Sequence, residues 1–159
     1  MSFATSTRIA ALGLALAMED CPESGFDAPL AEASTVAFDT RLVGTWRCLD
    51  DRTVDTLTFT HQTPTVLLVR VSGDTSEMRF HSAKSGKTPL ANLSTRVGAK
   101  EQWNLVRPAL AGPNALVIEI ADDKHFKNDS LPKSRAAIAA ALKRGDLFAD
   151  AFVCKRALL

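Results

Sequence analysis

From Arg41 onward, short runs rich in Val, Thr, Leu and Phe alternate with turn residues at spacings of about 10 to 14 residues. Few folds accommodate so regular a succession, and the pattern predicts an antiparallel meander. The candidate strands are 41–48, 53–60, 65–71, 75–82, 89–97, 101–107, 115–121 and 147–156. Turn chemistry separates them: Leu49-Asp50-Asp51-Arg52, His61 to Pro64, Ser72-Gly73-Asp74, Lys84-Ser85-Gly86-Lys87 and Gly112-Pro113-Asn114. Only between the last two strands does the period change. There Asp129 or Ser130 can cap a helix with Pro132 in its first turn. Leu131, Arg135, Ile138 and Leu142 form its stripe, filled out by Ala137 and Ala141, and Gly145 is the stop signal.

The expected fold is therefore mainly β: an eight-stranded antiparallel meander barrel with one α-helix before the last strand. Closure removes the exposed edges that recruit other chains. The alternative is an open, bent antiparallel sheet with the helix packed on one face, an α+β fold.

Closure makes the first and last strands antiparallel neighbours, so opposed residues share one index sum. Side-chain parity puts Leu42, Trp46 and Cys48 on the inner face of the first strand. Phe148, Phe152 and Cys154 take that face on the last. Pairing Cys48 with Cys154 gives a sum of 202, and the same register sets Trp46 opposite Arg156. One register thus predicts a cross-strand disulfide and a guanidinium lying on an indole. Two unrelated buried thiols are the alternative for the cysteines, since the third, Cys21, makes the count odd.

Gly44-Thr45-Trp46 on the first strand, together with Arg156 on the last, resembles the lipocalin-like (calycin) barrels. The resemblance implies a barrel opened by Gly-x-Trp, with the Arg packed across the Trp to plug one end. Small bacterial protease inhibitors with a similar eight-stranded barrel also begin on a Gly-x-Trp strand.

Ahead of the strands the texture differs. Arg8 precedes an uncharged apolar run of ten residues, Ile9 to Met18, and Ala15-Leu16-Ala17 offers small residues for a signal peptidase. The run is too short for a spanning helix, which takes about 20 apolar residues. Residues 1–17 are expected to be a signal peptide cleaved after Ala17. An amphipathic helix docked on the domain is the alternative. Glu19 and Asp20 before Cys21 argue against a lipid anchor. Residues 18–39, with Pro22, Gly25 and Pro29, read as a flexible N-terminal arm with a helical turn near Leu30 to Ala33. Residues 40–159 form the barrel domain, and the expected location is periplasmic or secreted.

No catalytic motif is legible. His61, His81 and His125 sit in no metal-binding pattern, and G-x-S-x-G and a Gly-rich phosphate loop are both absent. The Asp122-Asp123-Lys124-His125 cluster reads as a solvated turn, and no metal or cofactor is expected. A formal net charge of +1, without a basic run, points away from nucleic acid. Asp150 falls on the inner face of the last strand, which suits a barrel mouth. Two classes remain. One is a binding protein that holds a small apolar ligand, lined by Leu57, Phe59, Met78, Phe80 and Trp103. The other is a filled barrel that engages an envelope protein, such as a protease inhibitor or assembly factor, through its arm and loops.

Overall fold

The computed structural model describes residues 26–49, 54–125 and 130–158. The expected signal peptide, Cys21, the turn at Asp50 to Arg52 and the cap candidate Asp129 lie outside the described residues.

Eight strands follow one another as a meander: β2 (Gly44–Leu49), β3 (Val54–Thr63), β4 (Val66–Val71), β5 (Glu77–Ser85), β6 (Thr88–Val97), β7 (Lys100–Gly112), β8 (Ala115–Ala121) and β9 (Phe148–Arg156). Each pairs antiparallel with the next, and β9 returns to pair with β2. The barrel is closed, which excludes the open sheet. A two-residue strand, β1 (Glu32–Ala33), lies outside the ring against β5. The helix α1 (Leu131–Arg144) precedes β9.

Local chemistry explains the boundaries. The first barrel strand starts at Gly44 rather than at 41, because Thr40–Leu42 wind into one 3-10 turn. Asp39 caps that turn by accepting the Arg41 N–H at 2.9 Å. The Arg41 side chain clamps the same carboxylate and holds its pKa down to about 2. Helix α1 carries Pro132 in its first turn and ends at Gly145, whose φ of 79° lets its N–H reach the carbonyls of Ala141 and Leu142. Ser130 occupies the N-cap position without a side-chain cap bond. Ile138 and Ala141 are buried as expected and Leu131 and Leu142 half-buried, but Ser134 is buried in place of Arg135, which stays exposed.

Two cores result. The barrel interior holds Trp46, Phe59, Phe80, Leu67, Leu116 and Ile118 among sixteen buried residues. A smaller core lies outside the barrel wall, where Leu30 and Ala31 of the arm and Ile138 and Ala141 of α1 cover Ala83, Leu90 and Leu105. Burial of Leu30 alone removes a full Leu side chain from water, about 2 kcal/mol of transfer free energy.

The arm is tied down over residues 26–38, chiefly through backbone groups. Phe26 exchanges two backbone hydrogen bonds with Trp103 on the part of β7 that outruns β8. Asn92 of β6 then acts as a side-chain peptide: its Oδ1 accepts the Ala31 N–H and its Nδ2 donates to the Ala31 carbonyl, both at 2.9 Å. Glu32 and Ala33 form a strand with β5 instead of the expected helical turn. Beyond them, Ser34 N–H donates to Ser82 and Phe38 N–H to Pro64. The strap thus crosses β7, β6 and β5 before entering the barrel end.

Candidate functional site: the interior, ends and walls of the barrel

At the end where β2 begins, the chain closes the barrel. Cys48 and Cys154 are bonded, and Trp46 faces Arg156 in the register with sum 202. The Arg156 guanidinium lies 4.2 Å from the Trp46 ring centre. It also donates to the carbonyls of Val43, at 3.1 Å, and Arg41. The indole N–H donates to Leu42 O at 2.9 Å, so no buried polar atom of the plug is wasted. Gly44 is required here twice over. Its φ is +132°, and a Cβ would stand 2.7 Å from Arg156 Nη1. The Gly-x-Trp spacing is therefore a steric condition for the Arg to reach the Trp.

Above the plug, Leu57, Phe59, Met78 and Phe80 come together as expected from their parity. They leave only 4%, 0%, 1% and 0% of their surface open to a water-sized sphere. The rings of Phe59 and Phe80 meet edge to face at 5.6 Å. A lumen holding a ligand against these four would expose them to that sphere. Trp103 is not among them. Across the β6–β7 pair, Leu93 and Thr95 oppose Asn104 and Gln102, so even residues of β7 face inward and Trp103 faces out. Its ring lies 4.9 Å from that of His81, on the outer surface.

The opposite end is polar. Register sets Asp55 beside Cys48, Asp150 beside Ile120 and Gln102 beside Thr95, all on the inner face. Thr95 is buried and the others are half-buried. Asp55 and Asp150 are both engaged by neighbours. Asp150 thus takes the mouth position that its parity predicted.

Outside the covered wall, His81 Nε2 and Ser94 Oγ lie 2.9 Å apart. Burial pushes the imidazole pKa below its ordinary value of 6.5. Glu101 opposes the shift, and Arg79 adds to it. The pairing looks like a base and a nucleophile, but Ser94 is 1% exposed and no substrate reaches it. No sequence motif announces this pair, because the two residues meet only through the β5–β6 register. A small pocket of about 90 Å³, open to solvent, lies between arm, β5 and α1, with Lys84, Glu32 and Arg135 at its rim. Lys84 and Glu32 face each other there at 3.7 Å. Among the described residues no three potential ligands gather to hold a metal, and no helix is long and apolar enough to cross a membrane.

Among the described residues, the wall of β8, β9, β2 and β3 carries no second layer. Its outward residues form rows across the strands. One row is Val117, Val153, Leu49 and Val54; the next is Ala115, Lys155, Arg47 and Thr56. Leu49, Val153 and Val54 are 59%, 57% and 47% exposed.

The fold defines a closed, eight-stranded antiparallel barrel sealed at one end by a Trp–Arg plug and across its seam by a disulfide. No protein-family model matches the chain, and no curated protein or solved structure is significantly similar to it.

Proposed function

We propose that this chain is an exported interaction protein built on a filled, lipocalin-like barrel, acting on a protein partner through its outer surface. The observation that supports this reading is the interior itself. The four side chains best placed to line a ligand cavity are packed against one another, and the fifth expected liner, Trp103, stands outside. The plug of Gly44, Trp46 and Arg156 carries the likeness to the calycin barrels. The Cys48–Cys154 bond suits an oxidising compartment, periplasmic or extracellular. At the His81–Ser94 contact the hydroxyl is buried, out of reach of a substrate.

Two measurements test the reading. Export of the full chain, followed by intact-mass analysis, should yield a product lacking residues 1–17 with the disulfide formed. A product retaining the initiator Met counts against export. Thermal melts with a panel of fatty acids, retinoids and haem-like compounds should show no ligand-dependent rise in Tm. A rise that scales with concentration, as mass action requires, restores the ligand-carrier reading.

A further inference from the structure

The bare wall combines two features that a solvated barrel surface has no use for. First, Leu49 sits between Val153 and Val54 on directly opposed positions of three neighbouring strands, all about half exposed. Isolated exposed aliphatics are ordinary, whereas a contiguous row marks a contact site. Second, Arg47 and Lys155 are direct cross-strand partners in the adjoining row. Like charges so placed repel and destabilise the sheet. Both side chains are exposed, and among the described residues neither has an ion pair, although seven other basic side chains on the barrel and its flanks do. Thr56 and Ala115 flank the two cations with short side chains, leaving them approachable.

We infer that this wall is the docking surface for a protein segment that presents aliphatic side chains beside carboxylates. The inference rests on the interaction-protein reading and names the surface and the partner's chemistry. The apolar row supplies desolvated contact area, and the paired cations supply an unanswered positive charge that carboxylates neutralise. Because the barrel is closed there, the partner lies face-on to side chains and does not add a strand. A second copy of the chain fits poorly, since two-fold contact across this wall brings Arg47 and Lys155 near their own counterparts. A membrane fits poorly as well. The row lacks aromatic anchors, and two cations fall short of the polybasic cluster that holds a protein on anionic lipid.

The test uses the full chain and a blocked ten-residue peptide alternating Leu and Glu, with Gln and Lys versions as controls. Amide shifts on titration should map to Leu49, Val54, Arg47 and Val153. The Glu peptide should bind at least about ten-fold more tightly than the Gln peptide, and added salt should weaken it. The double variant Arg47→Glu/Lys155→Glu should reverse the preference toward the Lys peptide. Leu49→Ser should weaken both without reversing it. Equal affinity for the three peptides, or shifts confined to another surface, overturns the inference. So does charge-dependent binding to phosphatidylglycerol vesicles with no response to peptide, or self-association abolished by Leu49→Ser. Photo-cross-linking in the producing cell, from position 153 and from position 143 on α1, separates the two levels. Adducts from 143 alone overturn this surface and leave the interaction reading standing. The absence of protein adducts from either position overturns both.

Discussion

The two walls of this barrel were given opposite treatment by one chain. On the β5–β7 side, outward positions hold Ala83, Leu90 and Leu105, and the arm and α1 cover them. On the β8–β9–β2–β3 side, outward positions hold Leu49, Val153 and Val54, and nothing in the described chain covers them. The closed ladder supports both walls equally, so the second layer is not what makes the barrel. It is an added core that turns apolar outward residues from a liability into stabilisation. Where the described residues add no such layer, apolar residues persist without a partner among them.

The strongest way to break the comparison is to open the seam. The disulfide ties β2 to β9, under the bare wall, across a sequence separation of 106 residues. Cys48→Ser should cost about 5 kcal/mol on the chain-entropy account, read from denaturant melts in oxidising buffer. Hydrogen exchange should accelerate more in β2 and β9 than in β5 to β7. Next comes a matched pair of truncations. Leu30→Ala removes a fully buried side chain from the covered wall and should cost about 3 kcal/mol, whereas Val153→Ala on the bare wall should stay within about 0.5 kcal/mol. Equal costs would mean that the arm's layer contributes no more than solvent does.

Asn92→Ala sharpens the point further. It leaves the Ala31 N–H and carbonyl buried without partners, a loss of about 2 kcal/mol. Exchange protection should vanish over residues 30–33 while the barrel strands keep theirs. The smallest effect is on pH. The folded state holds His81 below its ordinary pKa of 6.5, so the unfolded chain takes up the proton first. Stability should therefore be full above about pH 6.5 and decline as the pH falls below it. The His81→Gln variant should flatten that slope, and an unchanged slope places the titration elsewhere.

How legible these regions were follows from the same contrast. Strands of the bare wall alternate cleanly up to the register shift between Ile120 and Ala121, so parity placed Trp46, Cys48, Phe152 and Cys154 inside; Phe148, expected on the same face, pairs with Ala121 beyond that shift and packs against the outer core instead. The sum of 202 then set Cys48 opposite Cys154 and Trp46 opposite Arg156, as the structure has them. The covered-wall strands β6 and β7 carry apolar residues on both faces. In β6, Leu90 faces the arm while Ala91 and Leu93 face the lumen; in β7, Leu105 faces out and Val106 in. Alternation cannot rank two apolar faces, which is why Trp103 was expected inside. The strap was illegible for another reason. Its attachments are backbone pairs at Phe26, Glu32, Ser34 and Phe38 plus the Asn92 and Ser82 side chains, which themselves bond backbone groups, and backbone groups carry no residue pattern. The candidate site was legible in part. The sum of 202 already sets Leu49 opposite Val153 and Arg47 opposite Lys155, but residue pattern does not reveal which wall the arm and helix will cover.

Ring closure also sets a clock. β2 leaves the ribosome, or a translocation channel, about a hundred residues ahead of β9, an interval of about 5 to 20 s at ordinary synthesis rates. Throughout that interval the growing sheet has two live margins, β2 at one side and the newest strand at the other, each able to capture a neighbouring chain. Trp46 has no lid until Arg156 arrives, because the residue that seals the first-made strand belongs to the last-made one. Products stalled before β9 are thus open, adhesive sheets. Formation of the Cys48–Cys154 bond marks the moment a molecule leaves that vulnerable population.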